Sequence, residues 1–280
     1  MKKNILFLMA AFAFISSSAQ EVLSKKGEKM LPEKGDWAVV VDASPFLNYL
    51  GNVFSSAGNN SIFKSFGDSN LTVMGKYFLE DKKAVRIKLN VGVNSHNEKF
   101  NTTRDGQTDP NVTVLDEWKS TETNISLGAG IEKRRGKSRL QGLYGAEASL
   151  FYLDGSKDKY KYGNSFGKNN IAPASHDFNG NQKSDGSRIT QSKQGATYGI
   201  GVRGFIGMEY FIFPKIAIGM EYGVALQIGK RGDGQEVSEI WDPINNEKKT
   251  QTQNIAGGSI VEFNSGLKNG NALIYAAFHF

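Results

Sequence analysis

Between residues 215 and 230, apolar side chains fall on every second position. Ile216, Ile218, Met220, Tyr222, Val224, Leu226 and Ile228 share one face, while Ala217, Gly219, Glu221, Gly223, Ala225, Gln227 and Gly229 share the other. This is the period of a β-strand, whose side chains alternate across the pleat. At strand rise the run is about 45 Å long, well beyond the usual strand of a soluble domain. Its second face is small and glycine-rich, not charged as the water-facing side of a sandwich would be.

The same division recurs along the chain. Residues 196–212 place Tyr198, Ile200, Val202, Ile206, Met208, Tyr210 and Ile212 on one side and Thr197, Arg203 and Glu209 on the other. Residues 84–94 set Val85, Ile87, Leu89, Val91 and Val93 against Arg86 and Lys88. Residues 123–132 set Ile125, Leu127 and Ile131 against Glu132, and residues 140–152 set Leu140, Tyr144, Leu150 and Tyr152 against Glu147. Two shorter runs oppose Trp37, Val39 and Val41 to Asp42, and Leu71, Val73, Tyr77 and Leu79 to Lys76. In the last run Ile274, Ala276, Phe278 and Phe280 share a face.

Eight such segments predict an all-β fold, an antiparallel transmembrane β-barrel of eight strands. A closed ring leaves no strand edge for lipid to meet, and an even strand number suits a single-chain barrel. The connections at 80–83, 134–136 and 213–214 are short, whereas those near 97–119, 154–194 and 230–270 are long and polar. Short and long connections alternate, as they do between short periplasmic turns and long extracellular loops. Residues 254–263 also alternate and read as an extension or hairpin within the last long loop. Ten strands stay open if another crossing has gone uncounted. The connection 44–69 carries Phe46, Leu47, Tyr49, Leu50, Val53 and Phe54, which are unusually apolar for a free loop and suit packing at a rim or a partner surface.

The chain begins MKKNILFLMAAFAFISSSAQ, with a basic end, a short apolar stretch and then small residues, which is the plan of a secretory signal peptide. Cleavage after Ala19 would leave a short periplasmic segment at 20–35 and the barrel at 36–280. There is no cysteine, so export brings no disulfide framework and no thiolate chemistry. The formal net charge of +6 is spread along the chain without a basic arm, which excludes nucleic acid as the expected partner.

If the apolar face is outward, the interior holds Asp42, Lys76, Arg86, Lys88, Glu132, Glu147, Arg203, Glu209 and Glu221. Their charges nearly cancel, and charges away from bulk water need partners, so an ion-pair network inside the barrel is expected. Eight strands enclose a space just wide enough to be filled by side chains. Trp37, Tyr144, Tyr152, Tyr198, Tyr210, Tyr222 and Tyr275 are candidates for the aromatic girdles at the two membrane surfaces. Lys157, Lys159 and Lys161 alternate near the outer end of the fifth strand, where they suit anionic headgroups or a solvated loop base.

No catalytic constellation emerges. His96, His176 and His279 form no HExxH or compact ligand spacing, and no GxSxG nucleophile elbow is present. The run GIGVRG at 199–204 lacks the strand-turn-helix setting of a phosphate loop. No enzyme activity, cofactor or metal site is expected.

The export signal, the repeated strands, the opening GDWAVVVDASPFLNYLGN, the hairpin GKYFLEDKKAVRIKLNVG and the terminal AAFHF together resemble small outer-membrane β-barrel proteins of Bacteroidota. That resemblance implies an outer-membrane location among lipid and lipopolysaccharide. Phe280, with Phe278 two residues before it, looks like the signal read by the barrel-assembly machinery. The resemblance carries location and assembly route; the role expected beside it is a structural or accessory subunit of a larger outer-membrane complex. A narrow channel for ions or small solutes and a surface adhesin or ligand-binding barrel are the alternatives.

Overall fold

The computed structural model describes residues 22–43, 71–179, 181–264 and 272–280. The signal segment 1–19 and the apolar residues of 46–54 lie outside them. In chain order the strands are β1 (Trp37–Asp42), β2 (Leu71–Glu80), β3 (Lys83–Thr103), β4 (Thr113–Arg135), β5 (Leu140–Lys161), β6 (Ala174–His176) and β7 (Gln182–Ser184). They continue as β8 (Ser187–Lys193), β9 (Thr197–Phe213), β10 (Ile216–Arg231), β11 (Gly234–Asp242), β12 (Glu247–Ile255), β13 (Gly258–Asn264) and β14 (Ala272–His279).

Eight of these strands close into an antiparallel ring. β1 pairs with β2, and pairing continues through β3, β4, β5, β9 and β10 to β14, which returns to β1 with Val40 opposite Ala277. Each member coincides with one of the eight alternating segments of the sequence. Alternation decides the faces: Leu150 and Ile200 are 62% and 60% exposed on the outside, whereas Glu132 and Glu209 are 0% exposed within. The hydrophobic effect therefore does not fill this interior as it would a soluble core.

The tight turns gather at one end of the ring. Beyond the other end the strands continue, so the long connections expected as polar loops are largely β-structure. β4 has 23 residues, roughly 75 Å at strand rise, far more than a bilayer requires. A bulge in β5, between the pairs Thr123–Asp154 and Thr121–Lys157, marks where that strand exchanges β9 for β8 as its neighbour. β11 then adds to β8, and β12 to β11, giving a projecting sheet in the order β3-β4-β5-β8-β11-β12.

β10 makes a similar exchange. Its first half pairs with β14 and its second half with β13, both antiparallel to it. β13 is thus stacked above β14 along the same neighbour, so of residues 254–263 the part from Gly258 on lies above the last strand and is not a ninth crossing, while Asn254 and Ile255 end β12.

The turn end is closed by the segment that precedes β1. Met30 is 1% exposed and packs with Val40, Met74, Leu143, Phe211 and Leu273, while Val22 and Leu31 lie against the same cluster. The Lys215 amide donates to the Met30 carbonyl at 3.1 Å, and Lys215 pairs through its ammonium with Asp36. Met30→Ala should cost about 2–5 kcal/mol of local packing. The expected outcome is faster proteolytic trimming ahead of residue 36 with the ring intact, measured by limited proteolysis beside unheated gel mobility.

Candidate functional site

All nine charged positions expected inside the ring are buried there. Near the turn end, Lys76 Nζ lies 2.7 Å from Glu209 Oε1 and 2.8 Å from Glu132 Oε2. One layer higher, Arg86 presents Nη1 and Nη2 to the two oxygens of Glu221 at 2.6 and 2.9 Å, a bidentate fork. Arg203 Nη1 bridges Glu221 at 2.7 Å and Glu147 at 3.1 Å, and Lys88 Nζ reaches Glu147 at 3.3 Å. Arg86 is also in ionic contact with Glu147 at 3.0 Å, so the carboxylates of β5 and β10 share cations from β3 and β9. Asp42 is buried at the far end of β1.

Arg134 belongs to the same network and was missed because 134–136 reads as a turn. β4 in fact continues to Arg135, and Arg134 keeps the inward parity of Glu132. Its Nε donates to Glu132 at 3.0 Å and its Nη2 to Glu209 at 2.7 Å, with the guanidinium 4.6 Å from the centre of the Phe78 ring. With Arg134 included, the inward positions hold five cations and five carboxylates.

Tyr275 is a correction. Expected in an outer girdle, it is 0% exposed inside the ring, and its hydroxyl donates to Glu209 Oε1 at 2.9 Å. Alternation explains the difference, since Ile274 and Ala276 are its outward neighbours. His279 is also inward, with Nδ1 3.1 Å from the Lys215 carbonyl. A carbonyl can only accept, so Nδ1 carries the proton. The other six girdle candidates, Trp37, Tyr144, Tyr152, Tyr198, Tyr210 and Tyr222, are on the outside.

Glycines set the spacing of the network. A Cβ added to Gly223 would stand 2.4 Å from Arg203 Nε, and one on Gly219 would stand 2.4 Å from the Tyr275 ring. Gly204, on the outward face of β9, would meet nothing within 4 Å.

A second organised region sits on the inward face of the projecting sheet. Asp116 is fully buried and accepts from Thr102 Oγ1 at 2.9 Å, the Gly163 amide at 2.8 Å and the His176 amide at 2.6 Å. These bonds fold residues 162–178 down onto β3 and β4, where His176 stacks on Phe100 at 3.9 Å and Phe178 meets the edge of the same ring. Arg188 ties β8 to β11 through Glu239 at 2.6 Å, and its guanidinium lies 4.4 Å from the Tyr162 ring centre. The signal was available in part, because Asp116 and Phe100 share the inward parity of their strands. Their partners, however, come from a segment without alternation.

Among the described residues no group of three metal-ligating side chains converges. What the described residues of the lumen offer chemically is cohesion: Glu132, Glu147, Glu209 and Glu221 each hold at least two cations. A small cavity of about 50 Å³ lies above the network, lined in part by Lys88, Ser126, Ser149, Arg203 and Gln227, and is large enough for little more than water.

Compared by sequence, the chain matches no family model and no curated protein. Among solved structures it is similar to the outer membrane protein OprG from Pseudomonas aeruginosa, with a TM-score of 0.33 and 10% identity, over 90% of this chain and 98% of that one. The pairing of the ring itself carries the barrel assignment.

Gly223→Val should destabilise the barrel by about 1–3 kcal/mol by displacing Arg203, whereas Gly204→Val should leave it unchanged. Urea unfolding in lipid vesicles, followed by tryptophan fluorescence, separates the two. The projecting sheet should have its own acid sensitivity. Burial pushes the Glu239 carboxyl up, but hydrogen bonds from Lys248 and Arg188 outweigh it and hold the group below its ordinary value of 4.5. A carboxyl depressed in the folded state stabilises above its unfolded value and loses that contribution as pH falls through the folded one. Protease cleavage within β8, β11 and β12 should therefore rise below about pH 4.5, and Glu239→Gln should remove that step.

Proposed function

We propose that this chain is a non-enzymatic outer-membrane β-barrel with a closed lumen, acting as a structural or accessory subunit of an envelope complex. The observation that carries this reading is the filled interior. Interlocked ion pairs occupy the ring, and the Met30 cluster closes its turn end. Conduction requires a path in which an ion can exchange water for weakly held ligands, and here Lys76, Arg86, Lys88, Arg134 and Arg203 are already paired with Glu132, Glu147, Glu209 and Glu221 at contact distance.

The outward face supports the membrane setting. From Tyr198 to Tyr210 the apolar side of β9 is about 40 Å long, which at a tilt near 45° spans about 28 Å, close to the hydrocarbon thickness of a bilayer. Aromatic side chains bound it at both ends. Tyr152 and Tyr198 are cross-strand partners at the upper margin, and Trp37 packs on Tyr77 at 4.7 Å near the turns. In this reading the export signal expected at residues 1–19 supports tight turns facing the periplasm and a projecting sheet outside the cell. The likeness to Bacteroidota barrels rests on the opening, hairpin and terminal segments of the sequence.

With the interior sealed, function is assigned to surfaces that other molecules can reach. The projecting sheet is one of these, tied together by Asp116, by Asn164, whose Nδ2 donates to the Thr103 and Ala174 carbonyls at 2.8 and 2.9 Å, and by the Arg188–Glu239 pair. Reconstituted in planar bilayers, the protein should give no reproducible unitary conductance. Gentle extraction with crosslinking should recover it in a stoichiometric complex. Steps whose size changes with Arg203→Ala would replace this reading with the narrow channel, and recovery solely as a monomer would remove the accessory role.

A further inference from the structure

The outward face of the projecting sheet, immediately above the apolar band, is rich in lysine. Lys99 on β3, Lys119 on β4, Lys157, Lys159 and Lys161 on β5, and Lys193 on β8 are all exposed. They share one face because the outward parity of β3 and β4 continues upward, while the bulge shifts β5 by one residue and so turns Lys157, Lys159 and Lys161 to that side. Lys119 is opposite Lys159, Lys157 is opposite Lys193, and Glu117 lies between Lys99 and Lys161. Two acidic side chains answer them. Glu117 Oε1 lies 3.2 Å from Lys119 and 4.0 Å from Lys99, its Oε2 lies 3.9 Å from Lys161, and Asp154 pairs with Lys157.

Like charges directly opposite on neighbouring strands are destabilising. Two such lysine pairs stand side by side, Lys119–Lys159 and Lys157–Lys193, and although Glu117 and Asp154 each answer one member, six exposed lysines against two carboxylates leave a local surplus of positive charge. The surplus also has a fixed height. Tyr152 on β5 and its cross-strand partner Tyr198 on β9 close the apolar band, and Lys157 stands above Tyr152, past the bulge in β5. A molecule matching both features has acyl chains beneath and several phosphates at the level of the lysines.

The geometry points to a multiply phosphorylated, acylated glycolipid of the outer leaflet as the occupant of this face, its phosphates bridging the opposed lysine pairs. This site rests on the membrane orientation proposed above. An ordinary zwitterionic phospholipid supplies one phosphate masked by its own cation, which is insufficient for four opposed ammonium groups. A bridging phosphate converts two cross-strand repulsions into charge-assisted hydrogen bonds, so ligand and sheet should stabilise each other.

The test uses the full mature chain in phosphatidylcholine nanodiscs, with and without bisphosphorylated lipid A. Protease-protected insertion is scored first. Failure to insert in phosphatidylcholine removes the membrane reading itself, whereas insertion without lipid A capture overturns this inference alone. The expected result is saturable, salt-sensitive retention of lipid A by native mass spectrometry, weakened about tenfold or more in Lys119→Ala/Lys159→Ala. Lys25→Ala/Lys26→Ala, which removes the same charge at the opposite end, should bind as the parent does. Equal weakening by both double variants would reduce the interaction to diffuse electrostatics and overturn the site. A second readout has opposite signs in the two membranes. The Lys119→Ala/Lys159→Ala sheet should resist protease at least as well as the parent in phosphatidylcholine, because repulsion is relieved, and less well with lipid A, because the bridge is lost. Unchanged order in the two membranes would also overturn the proposal.

Discussion

The interior of this barrel is held by ion pairs, and the rest of the structure depends on their being matched. Taking a carboxylate or a guanidinium out of water costs several kcal/mol even after relaxation. The cost is recovered only where partners are close and well oriented. Glu209 illustrates the condition, with Lys76 and Arg134 both at 2.7 Å and the Tyr275 hydroxyl at 2.9 Å. Each lumen charge therefore constrains the register of at least two strands, because a slip of one residue would turn it outward into lipid and leave its partners buried without compensation. Apolar side chains would have filled the same space with less directional preference. The ionic interior makes the closed ring specific.

This arrangement inverts the usual relation between surface and core. The large aliphatic side chains face outward and gain nothing from one another until a bilayer surrounds them, so barrel stability is shared between protein and lipid. The true hydrophobic cluster is small and lies at the turn end, where Met30 and its neighbours shut the base. Above it the glycines of β10 give up side-chain packing to make room for Arg203 and Tyr275. Cohesion, closure and spacing thus act at successive heights in one lumen.

Outside the ring, the same strands serve a different purpose. β3, β4 and β5 continue past the apolar band and recruit β8, β11 and β12, so the external region is an extension of the barrel wall and inherits its rigidity. Parity carries through this extension in β3 and β4, and the bulge shifts it by one residue in β5. The inward side gathers Phe100, Asp116 and His176 under a folded connection, while the outward side presents the lysines. The extended sheet therefore places an aromatic and hydrogen-bonded face and a basic face on opposite sides.

Strand membership and the inward or outward sense of each side chain were legible in the amino-acid sequence, because both follow from the pleat, a local property with a period of two residues. That is why Arg86, Glu147, Arg203 and Glu221 could be placed inside before any pairing was known, and why Tyr275 and Arg134 were misplaced where that period was not followed through to the strand ends. Pairing was another matter. Which cation meets which carboxylate, the return of β14 to β1, the exchange of β9 for β8 at the bulge in β5, and the stacking of β13 above β14 all join residues far apart in the chain. These were decided by closure of the ring, which fixes every register at once and which no local pattern encodes.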